Sequence, residues 1–226
     1  MNAKTIVIDG IDGVGKTTQI KMLAHYLRDK GFSVLETKEP GSSHSPLSVH
    51  LRSLVLDPQY DAEMTMYARE LITQACRSVH IENVIAPNLD KFDFILQDRG
   101  ILSGIAYGIA SGNSQKTILD LTYQTVKIST PPQLSHLYDK VVVLRGSPKI
   151  SLNRAVAAKQ EFVGGDVIEN RGTDFMTKVQ GNLEYYVSSP YLPSKEKCSI
   201  IEVDGKNVDA VFNELLLSLA KVINNV

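Results

Sequence analysis

Two cysteines, Cys76 and Cys198, are too few for a disulfide framework and lack the spacing of a zinc site. The histidines are scattered without metal-ligand spacing; His44 and His50 are near neighbours in sequence but lack ligand partners. No stretch approaches the roughly 18 consecutive apolar residues of a membrane span. Residues 1–10 place Lys4 and Asp9 around a very short apolar run, so no signal peptide is expected either. Nor is there charge of one sign to spend: the net charge is −1, which gives no general pull towards nucleic acid or an anionic membrane. Any cation that handles an anionic ligand must therefore be individually placed. These absences point to a cytoplasmic chain in a reducing setting. What remains is ordinary for a globular protein, with 43% hydrophobic and 22% charged residues. A length of 226 residues suffices for one well-buried domain. No repeat, low-complexity segment or linker divides it, so residues 1–226 are taken as a single unit.

The chain is organised around Thr5 to Thr18, TIVIDGIDGVGKTT. Thr5 to Asp9 are β-branched or apolar apart from the last, as a short buried strand requires. Gly10-Ile11-Asp12-Gly13-Val14-Gly15-Lys16-Thr17 then fits G-x-x-x-x-G-K-[ST], followed by Thr18 and a helical sequence. A strand running into a Gly-rich turn and a helix aims several backbone N–H groups at one point, and the positive end of the helix dipole adds to them. Lys16 is placed to reach the β- and γ-phosphates of a nucleotide, and the Thr17 hydroxyl to take a Mg²⁺ coordination position. With Gly at about 7% of residues, the bare pattern arises by chance in roughly one chain in a hundred of this length. A preceding strand makes chance rarer still.

Periodicity predicts helix over 17–30, with Ile20, Leu23, Ala24 and Leu27 on one stripe and Gly31 ending it. A strand over 32–37 closes a β-α-β unit. Helix is expected over 47–56, broken by Asp57-Pro58, and over 61–85, with Met64, Tyr67, Ala68, Leu71, Ile72 and Ala75 in period and Pro87 as the stop. A strand over 92–96 leads to Gln97-Asp98-Arg99-Gly100, then helices over 102–110 and 115–129. A fourth strand over 141–144, a helix over 148–158, a helix over 174–187, a fifth strand over 200–203 and a helix over 208–222 complete the chain. Residues 159–172 are polar and Gly-rich and read as a mobile lid. The fold class is thus α/β: a three-layer P-loop fold, a five-stranded parallel sheet flanked by helices.

In open parallel sheets, ligands bind beyond the carboxyl ends of the strands. Three such ends are polar here: Asp9 to Thr18, Glu39-Pro40 and Asp98-Arg99. Asp98 either holds a Mg²⁺-bound water beside Thr17 or caps the next helix. Arg99 is either a fork for an acceptor phosphate or a surface ion pair.

These residues together resemble the thymidylate kinase family of nucleoside monophosphate kinases, over nearly the whole chain. The turn with Gln19 behind it is similar to the family's opening motif. Thr37-Lys38-Glu39-Pro40-Gly41 resembles T-R-E-P-G with Lys for Arg, and Leu51 to Asp57 resembles the next segment. Arg77, Pro87 and Asp98 keep the family spacing. Asp98-Arg99-Gly100, with Ser103, Ala106 and Tyr107, resembles D-R-Y-x-x-S-x-x-A-Y. The resemblance implies ATP- and Mg²⁺-dependent phosphoryl transfer to dTMP by a homodimer packed through its long helices. It implies that Arg77 contacts the pyrimidine, Asp12 faces the sugar 3′-hydroxyl and Arg99 holds the acceptor phosphate. Tyr107 would pack beside the deoxyribose and Ser103 would support the base, with Pro40, Arg52 and Gly104 around the same substrate. Core packing and a helix-face ion pair are the bland alternatives for Tyr107 and Arg77. Relatives often carry an Arg inside the turn; Val14 stands there, so the lid is expected to supply the catalytic cation, with Arg171 the candidate and Lys159 second. Arg154 would stack on the adenine.

The match also departs from the family. Thr73 stands where an aromatic often stacks on the base, Gly100 replaces the ring of D-R-Y, Gly104 is small, and Arg145 stands where relatives often have Asp. The two glycines and the missing ring lead to the expectation of a roomier base pocket, with dUMP or 5-substituted pyrimidine deoxynucleotides as an alternative acceptor range. A P-loop regulatory ATPase is the alternative from another class, but no water-positioning residue or switch loop is evident.

Overall fold

A computed structural model describes residues 3–131, 137–158, 166–188 and 198–224. Its five strands are β1 (Lys4–Gly10), β2 (Val34–Lys38), β3 (Phe94–Asp98), β4 (Lys140–Arg145) and β5 (Cys198–Glu202). They form one all-parallel sheet in the order β2-β3-β1-β4-β5. Parallel strands covered on both faces read as near-continuous apolar runs, and Ile6-Val7-Ile8, Phe94-Ile95-Leu96 and Val141 to Leu144 are all buried. Register then sets the site. Asp98 lies opposite Ile8 on one side and Lys38 on the other, so the carboxyl ends of β1, β2 and β3 stand side by side. Because strand side chains alternate between faces, Val7 and Asp9 share the face on which the helix after β3 packs.

The helices are α1 (Lys16–Asp29), α2 (Pro46–Leu56), α3 (Met66–His80), α4 (Ile101–Ala110), α5 (Gln115–Ser129), α6 (Pro148–Ala158), α7 (Gly172–Tyr186) and α8 (Val208–Ile223). Starts follow the capping rules: Ser45, Thr65, Ser114 and Asn207 each accept a hydrogen bond from a first-turn backbone N–H. α1 and α8 pack on each other and on the strands, while α4 packs on β1, α5 and α7. α1 buries the predicted stripe, Ile20, Leu23, Ala24 and Leu27. The fold class expected from the pattern is the one observed. Among the described residues no helix is long and apolar enough to cross a membrane.

Three expectations need correction or narrowing. The helix predicted over 61–85 starts only at Met66, because the Thr65 hydroxyl accepts from Ala68 N (3.1 Å) and caps it there; past His80 the backbone widens into a single π-turn, Ile81–Ile85. More consequential is which face of α3 is inside. The apolar period runs along the open face, where Tyr67 is 49% and Leu71 44% exposed, whereas Arg69, Glu70, Gln74, Arg77 and His80 are buried. Finally, α7 begins at Gly172, preceded by a single 3₁₀ turn, Glu169–Arg171. Val167 N donates to Leu56 O (3.2 Å), which ties that segment to the end of α2. The rest of the expected lid, 159–165 with Lys159, lies outside the described residues.

Candidate active site

β1 ends at Gly10 and α1 begins at Lys16, with Gly15 as N-cap at φ 106° and no side-chain cap. The first-turn N–H groups of α1 are therefore open to an anion. Gly13 is the residue that lets the turn sit where it does. It adopts φ 76°, and a Cβ there would lie 1.8 Å from Ser151 O on α6. This close approach brings α6 against the turn and sets Arg154 on the rim of the same cleft, together with Val14, Thr18 and Lys206. Ile11 is buried, and its carbonyl accepts from Lys16 Nζ (2.8 Å). Burial, with Arg99's charge nearby, pulls the Lys16 ammonium down to about 8, against the pull of Asp98, Asp12 and Asp9. Thr17 Oγ1 donates to Asp98 Oδ2 at 2.8 Å. The capping alternative for Asp98 is not realised, since Gly100 is the N-cap of α4 and no side chain caps it.

Arg99 lies at the turn between β3 and α4 with φ 66°, alone among described non-glycine residues in having positive φ. Its Nη1 donates to Gly10 O (2.7 Å) and Ser103 Oγ (2.8 Å), its Nη2 to Asp12 Oδ1 (2.7 Å) and Tyr107 OH (3.1 Å). Tyr107 OH donates in turn to Asp12 Oδ2 (3.1 Å), and the guanidinium lies 4.9 Å from the centroid of the Tyr107 ring. Below them the fully buried Asp9 accepts from Gly10 N (2.9 Å), Ser103 N (3.0 Å) and the Ser103 hydroxyl. Burial raises the Asp9 carboxyl despite Arg99 and Ser103, which pull the other way. Arg99 is thus an ion-paired side chain inside a cleft it shares with Lys16, rather than a surface pair.

A second cavity, open to solvent, lies beside this cluster. The buried polar face of α3 forms one wall. Arg77 is 0% exposed; Nε donates to Glu39 Oε1 (2.7 Å) and Nη1 to Gln74 Oε1 (2.8 Å), while Nη2 is buried without a partner. Gln74 Nε2 donates to Glu70 Oε1 (2.6 Å), and burial raises the Glu70 carboxyl. Arg52 Nη1 donates to Pro40 O (3.1 Å), and both residues line the cavity. Asp12, Glu39, Arg52 and Arg99 line both spaces, so the cleft over the turn and the cavity meet there.

The extra room expected from two glycines is not there. A Cβ at Gly104 would lie 2.0 Å from Arg77 Nη2, and one at Gly100 would lie 2.8 Å from Tyr138 OH. The guanidinium and the buried Tyr138 fill those volumes. Thr73 lines the cavity and turns its hydroxyl back to Arg69 O (3.0 Å). Arg171 is not brought to the cleft: Nη1 donates to Ser111 Oγ (2.7 Å), and its guanidinium lies over Phe175 at 4.9 Å. Arg145 has a structural partner set, Glu202 (2.6 Å) and Glu184 (3.7 Å). Reading along the chain placed Asp9 and Glu39 at polar strand ends without giving either a role, and missed Glu70 and Gln74 as site residues. Glu70, Gln74 and Arg77 at i, i+4 and i+7 form a polar stripe that could have been read as a second face of α3.

A family model described as Thymidylate kinase matches residues 8–191. The chain is 33% identical over 216 residues to a protein named Thymidylate kinase from Caldicellulosiruptor saccharolyticus, covering 95% of each chain. It is 31% identical to one of the same name from Francisella tularensis subsp. novicida, covering 99% of each. A third of that name, from Prochlorococcus marinus, is 30% identical with 100% of both chains covered.

Proposed function

The chain belongs to the thymidylate kinase family, and we propose that it moves the terminal phosphoryl group of Mg²⁺-bound ATP onto the phosphate of dTMP. The observation that carries this reading is the junction of two spaces at Asp12, Glu39, Arg52 and Arg99, one floored by the phosphate turn and the other by Arg77. Phosphoryl transfer is mostly in-line positioning and charge stabilisation, with little covalent work for the protein. In this reading the backbone amides of Gly10 to Thr18, with Lys16, hold the donor phosphates, and Arg154 lies beside the adenine. Thr17 and Asp98 present two adjacent oxygen donors, a set that suits Mg²⁺, which usually takes one or two protein oxygens plus phosphates and water. Among the described residues no larger acidic or His/Cys cluster competes for it. When bound, Mg²⁺ would offset the negative charge of the phosphates during transfer.

On the acceptor side Arg99 exchanges a bond to Asp12 for the dTMP phosphate, which frees Asp12 to accept from the sugar hydroxyl. Arg77 Nη2, a buried donor without a partner, suits a pyrimidine carbonyl. Tyr107 leaves little room for a 2′-hydroxyl, while Ser103, Gly104, Pro40 and Arg52 complete the wall. Arg171 is the lid cation in this scheme only if it releases Ser111 and Phe175; Lys159 is the other candidate. A cytoplasmic homodimer fits the open apolar face of α2 and α3, where Leu47, Val49, Tyr67 and Leu71 are exposed. The test is ATP consumption with and without dTMP, alongside a dUMP arm. Consumption that requires dTMP is expected. ATP hydrolysis indifferent to the nucleoside monophosphate would replace the kinase reading with that of a regulatory ATPase.

A further inference from the structure

One buried group on the inner face of α3 has no part in the proposed chemistry. His80, 0% exposed, sits in the last turn. Its Nε2 lies 2.9 Å from Thr37 Oγ1 near the end of β2, and Thr37 Oγ1 lies 2.8 Å from Ser42 Oγ. Its Nδ1 lies 3.6 Å from Glu39 Oε2. That is longer than a hydrogen bond, yet both atoms are buried and neither has another partner. They face each other because nothing else does. The other oxygen of the same carboxylate takes Arg77 Nε (2.7 Å).

The directions of these bonds can be assigned from their ends. A lone pair on Nδ1 pointed at a carboxylate would repel it, so Nδ1 carries the proton. In the neutral ring Nε2 then accepts from Thr37, whose oxygen accepts from Ser42. The polarity runs Ser42 to Thr37 to His80 to Glu39, and Arg77 closes it from the opposite side. Burial alone would raise the Glu39 carboxyl; Arg77's charge, helped by His80, more than offsets this and holds it low. With Nε held by Glu39 and Nη1 by Gln74, Arg77 has little freedom, and its Nη2 lies beside Gly104, which like Arg77 lines the acceptor cavity.

We infer that His80 is a positioning residue of the acceptor site: by fixing the Glu39 carboxylate from behind, it aims the unpaired Nη2 of Arg77 at the nucleobase. The inference rests on the kinase reading. The bland alternative is a core histidine that serves stability alone. The two differ in where the loss shows. A packing role spreads over all parameters, whereas aiming Arg77 affects only the ligand that Arg77 touches.

The experiment titrates dTMP onto the protein without ATP, measures initial rates against each substrate, and records melting curves, for wild type, His80→Leu, His80→Gln and Thr37→Val. His80→Leu is expected to weaken dTMP binding about tenfold to a hundredfold, the span set by disturbing one charge-assisted hydrogen bond. The KM for ATP and kcat should stay within about twofold of wild type, being set by the donor cleft on the far side of Arg99. His80→Gln, whose amide nitrogen can donate to Glu39, should recover part of the loss. If His80→Leu does not fold, Thr37→Val keeps the ring but removes its second tether, and should weaken dTMP binding in the same direction by less. Melting temperatures that fall while dTMP affinity holds would overturn the inference, as would equal losses for both nucleotides. A wild-type protein that fails to phosphorylate dTMP sinks the kinase reading instead.

Discussion

Replacing Gly104 by alanine sets two effects of opposite sign against each other. Gly104 lies inside α4, where the change by itself stabilises a helix by about 0.5–1 kcal/mol. Against this, the new Cβ would lie 2.0 Å from Arg77 Nη2, 3.0 Å from Cζ and 3.2 Å from Nη1. A long side chain can usually swing clear, but Arg77 is 0% exposed and is held at Nε by Glu39 and at Nη1 by Gln74. Relief therefore costs at least one hydrogen bond to a charged group, worth about 1.5–3 kcal/mol. The clash wins: Gly104→Ala should destabilise by about 1–2 kcal/mol, lowering the melting temperature by about 2–8 °C for a chain of this size. The same displacement moves Nη2, so the KM for dTMP should rise about tenfold or more, with the KM for ATP little changed. Melting curves and initial rates against each substrate read both quantities. Combining Gly104→Ala with Arg77→Lys, which removes the offending nitrogen, should cost less than the sum of the two single changes. A Gly104→Ala protein that melts at or above wild type with an unchanged KM for dTMP would refute the reasoning, because Arg77 would then have room that the packing denies it.

Two further outcomes follow from the donor cleft. The Lys16 ammonium titrates near 8 in the folded chain against 10.5 ordinarily; between these values the unfolded chain binds more protons, so this group's destabilising contribution is fully present below about 8 and is relieved as pH rises towards 10.5. Bound phosphates restore the charge, so calorimetric titration with ATP at pH 8, in buffers of different ionisation enthalpy, should show uptake of about half a proton per nucleotide; no buffer dependence would contradict this. Asp98→Ala should raise the Mg²⁺ concentration for half-maximal rate by about 10- to 100-fold while leaving the KM for dTMP nearly unchanged. An unaltered Mg²⁺ titration would leave Asp98 as no more than the hydrogen-bond partner of Thr17.

The parts of this protein that could be read from residues alone are those set by near neighbours. Gly13, Gly15 and Lys16 specify the turn because positive φ and an uncapped helix start are local properties. The alternation of apolar strands with periodic helices specifies a covered parallel sheet, since only the interior of such a sheet tolerates runs like Val141 to Leu144. What tertiary structure alone decided is which polar side chains go inside. The apolar period of Tyr67 and Leu71 marks α3 as two-faced but says nothing of what covers either face. Burying Arg77 and His80 is affordable only because Glu39, 38 residues from Arg77, arrives from the end of β2 to meet them. Arg171 shows the converse: a cation in a Gly-rich stretch reads as free to reach the cleft, until the fold supplies Ser111 and Phe175 beside it. Local pattern encodes backbone geometry, whereas the pairing of buried charge depends on which distant segments the sheet order brings together.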